Sequence, residues 1–189
     1  MLKFIPTLFI VLTLLGCKKN PIVSIKTELG DIKVELYKDQ APITVNNFLR
    51  YAKNNIFENS TFYRTVTKRN QPRNDIKIEV IQGGLYDDHK MYDPIKHEAT
   101  NVTGILHKDG VISMARLEPG TATSEYFICV GDQPELDFGG KRNPDGQGFA
   151  AFGKVIEGIN IVKKIHVQPE EKQIMEPRIK VYNIIEFKY

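Results

Sequence analysis

The tightest constraint on the fold lies between Gly110 and Gly131, GVISMARLEPGTATSEYFICVG. Tyr126 to Val130 is an unbroken apolar run of aromatic and β-branched residues, the pattern of a strand covered on both faces. Val111 to Arg116 forms a second short strand, opened by Gly110. Between them Glu118-Pro119-Gly120 signals a turn, and Thr121 to Ser124 is small and polar. A strand buried on both faces needs two covers. Core supplies one. The other is more core, a second sheet or a ligand groove, and the small polar loop alongside suits a groove that backbone can approach.

The rest of the chain is mostly short strands. Ile22 to Thr27 and Gly30 to Tyr37 alternate apolar and polar residues around a Leu29-Gly30-Asp31 turn, which predicts a hairpin. Ser60 to Val66 is a strand with Phe62 and Arg64 on one face and Tyr63 and Thr65 on the other. In Ile78 to Gly84, Ile78, Val80 and Gln82 share a face. Phe149 to Val155 and Arg178 to Tyr189 complete the set, the last with Ile179, Val181, Asn183, Ile185 and Phe187 on one side. Two segments carry helical spacing: Asp39 to Asn55, through Val45, Phe48, Leu49 and Ala52, and Glu157 to Ile165, through Ile159, Val162 and Lys163. Many short strands and two helices predict a mainly β protein, a closed antiparallel barrel capped by the helices. Thr67 to Lys77 and Gln133 to Asp145 are loops, the first with Lys68, Arg69, Arg73 and Lys77.

Residues 1–16 have the layout of a secretory leader, with Lys3 and then an apolar run from Phe4 to Leu15 too short for an ordinary membrane span. Leu14-Leu15-Gly16-Cys17 resembles a bacterial lipobox, which implies that Cys17 becomes a lipidated N-terminus. Residues 17–21 are then a tether and 22–189 a single domain. Lys18 beside the lipidated Cys implies an outer-membrane anchor facing the periplasm. Cys129 is the second cysteine of the chain and is expected to be a small buried hydrophobe.

Loss of residues 1–16 removes only Lys3, so the formal charge falls from +3 to about +2. The basic residues are scattered rather than striped, which argues against nucleic acid. His89, His97 and His107, with Asp87, Asp88 and Glu98, match no metal-ligand spacing, so no metal is expected.

The stretch from Gly110 to Gly131 resembles the cyclophilin-type peptidyl-prolyl isomerases. So do TFYRTV at Thr61 to Val66, VIQGG at Val80 to Gly84 and GQGFAAFGKVIEGINIV at Gly146 to Val162, in the same order. With weaker flanks the resemblance covers nearly all of Pro21 to Tyr189. It implies an eight-stranded barrel with a helix over each end and a site on its outer surface. It further implies rotation about X-Pro bonds by a monomer without cofactor, assisting the folding of envelope proteins.

The resemblance also carries over individual residues. Arg64 is implied as the catalytic cation and Gln82 as its partner in catalysis. Phe127 is implied as the proline-pocket aromatic, with Phe62, Val80, Leu136 and Phe149 around it. Ala115 is implied at the floor under the residue before proline, and Glu125 at the position of a frequent Gln. An arginine in a strand is ordinarily a solvated side chain; the family pattern is what singles out Arg64. The chain departs from that pattern at Glu79, where a pocket Phe is usual, leaving either a shift that brings in Ile78 or a shallower pocket. Phe149 stands where many members have His, and Glu135 where many eukaryotic members have Trp. Thr67 to Lys77 is additional chain beside the site. A different class of function fits the same fold: a module that grips Pro-containing segments without turning them over. Retention of both Arg64 and Phe127 favours the enzyme.

Overall fold

The computed structural model describes residues 19–71, 75–86 and 90–187. Cys17 and the expected leader, residues 1–16, lie outside the described residues. Among the described residues nine strands and three α-helices follow one another in the order β1 (Ile22–Thr27), β2 (Gly30–Leu36), α1 (Pro42–Lys53), β3 (Ser60–Val66), β4 (Val80–Gly84), α2 (Thr100–Thr103), β5 (Val111–Met114), β6 (Tyr126–Cys129), β7 (Ala150–Glu157), α3 (Ile159–His166), β8 (Glu170–Glu171) and β9 (Ile174–Glu186). Hydrogen bonds link them in the order β1-β2-β7-β5-β6-β4-β3-β9, and β1 pairs with β9, closing an antiparallel barrel of eight strands. β8 is a spur paired only with the start of β9.

The barrel is filled, not hollow. Inward residues of alternate strand positions, among them Ile25, Ile32, Val34, Phe62, Ile81, Ile112, Tyr126 and Phe152, are fully buried. α1 begins soon after β2 ends and drives Phe48 into the core, against Phe57, Tyr126 and Phe152 with ring centroids 5.2–5.4 Å apart. Its face is the expected one: Val45, Phe48, Leu49 and Ala52 are all buried. α3 covers the other end of β2, where Ile161 packs over the Gly30 turn.

Three expectations shift, each for a local reason. The second helix starts at Ile159 because Gly158 takes a positive φ of 87° and breaks the chain there. β7 therefore runs on to Glu157, and the buried stripe of α3 is Ile161, Val162 and Ile165, while Lys163 is exposed. The closing strand begins at Ile174, earlier than Arg178, because a turn at Lys172-Gln173 folds it back on β8. Its alternation also slips: Lys26 pairs with Asn183 but Thr27 with Val181, a bulge that turns Ile184 inward and leaves Ile185 exposed.

Candidate active site

β6 lies at the centre of a groove on the barrel's outer face. Tyr126 and Ile128 point into the core, while Phe127 and Cys129 join Val66, Ile78, Val80 and Leu136 in a separate apolar cluster outside it. Ala115 and Phe149 pack against that cluster. Both covers of the two-faced strand are thus accounted for, core within and groove wall without. The groove has a volume of about 470 Å³, the size of a small-ligand or side-chain site.

Arg64, Val80, Gln82, Ala115, Glu125, Phe127, Leu136 and Phe149 all line it. Phe62 does not. Phe62 pairs with Gly83 and Arg64 with Gln82, so Tyr63 is the extra residue of a β-bulge. The bulge reverses the alternation: Phe62 turns inward, edge-on to Tyr126 at 5.7 Å, and is fully buried. Arg64 turns out into the groove. The expected placement of Phe62 beside substrate is therefore corrected. The Glu79 question resolves toward the shift: Ile78 lines the groove, while Glu79 faces Lys68 at 3.5 Å.

Phe127 is held from behind and from the side. The His107 ring stacks on it at 5.9 Å with planes 15° apart, and Phe149 meets it edge-on at 5.3 Å. His107 is itself fixed between Asp137 Oδ1 at 2.7 Å and Ser113 Oγ at 2.9 Å. Gly148, at φ 61°, brings Phe149 against Leu136 through a Phe149 N–H to Leu136 carbonyl bond of 2.9 Å.

The polar side of the groove is a chain of hydrogen bonds. Tyr63 donates its hydroxyl to Glu125 Oε2, and Gln82 Nε2 donates to the Tyr63 oxygen. Gln82 Oε1 then accepts from Arg64 Nη1 at 2.9 Å. Burial, with the Glu125 charge next, pushes the Tyr63 hydroxyl far above its ordinary value, so it stays a donor. Burial pulls the Arg64 guanidinium below its ordinary value, yet a guanidinium stays cationic at neutral pH.

Several groove residues were not expected from sequence. Arg142 lines it, donating Nη1 to Gln71 Oε1 at 2.9 Å and to the Ile76 carbonyl at 2.7 Å, so the additional loop braces the rim. Arg116 lines it too, tied to Asp145 and to the Gly148 carbonyl. Gln173 reaches Arg64 from the β8–β9 turn. No local pattern announces Arg142 or Gln173, because each comes from a loop or turn remote in sequence, whereas Arg116 directly follows Ala115 in the central stretch. Glu135 is half-buried and accepts from the Lys141 N–H at 2.8 Å, away from the groove lining. Cys129 is fully buried, and burial raises its thiol well above the ordinary value, as suits an inert hydrophobe. Among the described residues no group of His, Cys, Asp and Glu is arranged to hold a metal.

Residues 22–186 match the family described as cyclophilin type peptidyl-prolyl cis-trans isomerase/CLD. A peptidyl-prolyl cis-trans isomerase of Acinetobacter baylyi is 38% identical over 151 residues, 77% of this chain and 72% of the relative. Peptidyl-prolyl cis-trans isomerase B of Escherichia coli is 34% identical over 149 residues, 76% of this chain and 83% of its own length. The crystal structure of a Cryptosporidium parvum cyclophilin type isomerase superposes with a TM-score of 0.72, covering 90% of this chain and 99% of that one at 22% identity.

Proposed function

The chain belongs to the cyclophilin-type peptidyl-prolyl cis-trans isomerases, and from that premise we propose how its groove turns an X-Pro bond and where it does so. The activity is rotation about X-Pro bonds. Amide resonance sets a barrier of about 18–20 kcal/mol to that rotation. Unaided, it takes on the order of tens to hundreds of seconds. No bond is made or broken, so the protein has only to bind the twisted amide better than the planar one.

One observation carries the mechanism: a half-buried cation is fixed by a neutral amide at the edge of an apolar pocket. The proline ring enters between Phe127, Leu136, Phe149 and Val80. As the bond twists, the nitrogen lone pair leaves resonance and becomes an acceptor. Arg64 donates to it, and does so in a partly desolvated site where a charge acts more strongly than in water. Gln82 sets the direction of that donation through its 2.9 Å bond to Nη1. Ala115 and Glu125 flank the residue before proline.

We further place the enzyme in a bacterial envelope, anchored by lipid on Cys17 and acting on Pro-containing segments of folding envelope proteins. The lipobox-like Leu14 to Cys17 supports this. Among the described residues no helix is long and apolar enough to cross a membrane.

The test is a protease-coupled isomerisation assay on short X-Pro peptides. Arg64→Ala is expected to lower kcat/KM by about a hundredfold or more, the scale of losing one electrostatic donor. Circular dichroism of the variant should match the parent. Near-parental turnover in a folded Arg64→Ala protein would remove Arg64 from the mechanism.

A further inference from the structure

Arg64 has five N–H donors, and Gln82 engages only one of them. The Gln173 side chain takes two more: its Oε1 accepts from Nε at 3.0 Å and from Nη2 at 2.6 Å. The orientation of that amide is fixed, because Gln173 Nε2 donates to the Asn70 carbonyl at 3.0 Å, and a flipped amide would set donor against donor. The backbone is tied as well. Thr65 N–H donates to the Gln173 carbonyl at 2.9 Å, and Gln173 N–H donates to Glu170 Oε2.

The position is conformationally costly. Glu171 pairs with Ile174, so Lys172 and Gln173 form a two-residue hairpin loop. Both have positive φ, 51° and 75°. Such a loop favours Asn-Gly or Asp-Gly, and Lys-Gln is a poor choice for it on local grounds. A long side chain at the second position is explained by what it reaches.

We propose that Gln173 is a positioning residue for the isomerisation: it grips the Nε–Nη2 edge of Arg64 so that one N–H on Nη1 and one on Nη2 stay directed to the groove. The inference rests on the assignment of Arg64 as the donor to the prolyl nitrogen. Gln82 and Gln173 hold the guanidinium from two sides, and both are neutral carboxamides. A carboxylate in either place would fix the same geometry but offset the charge the twisted amide needs. The β8–β9 turn and the additional loop, through Asn70, thereby become part of the catalytic apparatus.

The experiment uses the full chain and resolves kcat from KM on one X-Pro peptide for the parent, Gln173→Asn, Gln173→Ala, Arg64→Ala and the Arg64→Ala/Gln173→Asn double variant. Asn tolerates positive φ but is one methylene too short to hold Arg64, so the turn is kept and the grip lost. Gln173→Asn is expected to lower kcat about tenfold or more, the scale of a misplaced catalytic group, with KM within about twofold. In the Arg64→Ala background it should change nothing further, which a merely structural role would not produce. Parental kcat in Gln173→Asn beside an inactive Arg64→Ala overturns the inference, and so does an equal loss from Gln173→Asn with and without Arg64. Should Gln173→Ala fail to fold, the Asn variant decides. An active Arg64→Ala protein instead overturns the mechanism on which the inference stands, and is recognised separately.

Discussion

Arg64 faces the groove because Tyr63 is an extra residue in its strand, and the same bulge gives Tyr63 work of its own. Its hydroxyl donates to Glu125 and accepts from Gln82 Nε2, which leaves the Gln82 oxygen for Arg64. Tyr63→Phe keeps the ring and removes both bonds. One hydrogen bond at such a site is worth about 0.5–1.5 kcal/mol, so kcat should fall about two- to tenfold, since about 1.4 kcal/mol is a factor of ten. Steady-state kinetics check this, and an unchanged kcat would show that Gln82 orients itself without help. At this scale the sequence was legible where a residue's position depends on its own strand. Arg64, Gln82 and Phe127 stand where the motifs put them. Phe62 was misplaced because alternation assumes an unbroken ladder, and a bulge is invisible to period-two counting. Gln173 and Arg142 were missed because their partners lie far away in sequence.

The groove wall depends on how one loop returns to the sheet. Leu136 sits in a short 3-10 turn, Pro134–Leu136, and Phe149 enters just ahead of β7. Gly148 joins them at φ 61°, and a Cβ there would lie 2.5–2.6 Å from the Asp137 carbonyl carbon and oxygen and from the Leu136 oxygen. Those are backbone atoms that cannot swing aside. Gly148→Ala should destabilise the fold by about 1–3 kcal/mol, as strained backbone does, and push Phe149 away from Leu136. Urea unfolding gives the first effect. A rise in KM larger than any fall in kcat gives the second, because the wall holds proline while Arg64 acts on the nitrogen. Parental stability would mean that the loop relaxes at no cost. The elements themselves were largely readable: alternation and helical spacing placed eight barrel strands and both longer helices. Their ends were less so, being set by Gly158 and by the Lys172-Gln173 turn rather than by hydrophobic pattern. The β8 spur carries two residues, Glu170–Glu171, with no apolar signal at all.

For the whole molecule the question is how the barrel presents its groove if the N-terminus is tethered. The described chain enters β1 from Lys19, Asn20 and Pro21, with Pro21 accepting from the Leu36 N–H at 2.8 Å and Asn20 donating to Glu35 at 3.1 Å. Asn20 and Pro21 are therefore pinned to the β1–β2 side. Going round the closed barrel from β1, the path through β2, β7 and β5 reaches β6, and so does the path through β9, β3 and β4. β6, which carries Phe127, is thus diametrically opposite the point of entry. A lipid on Cys17 would hold the β1 side toward the bilayer and leave the groove facing away from it, open to extended segments. A single acyl chain binds only marginally, and stable anchoring needs a second signal beside it. Two results follow from that geometry. Cys17→Ser should move the protein from the membrane fraction to the soluble one. On a short X-Pro peptide, kcat/KM should agree within about twofold between vesicle-bound parent and soluble variant, because encounter with an outward-facing site is limited by the same diffusion and docking in both. Firm membrane association of Cys17→Ser would point to another anchor, whereas a soluble variant several-fold faster than the anchored parent would mean that the bilayer shields the groove and that the tether does not leave the barrel opposite to it.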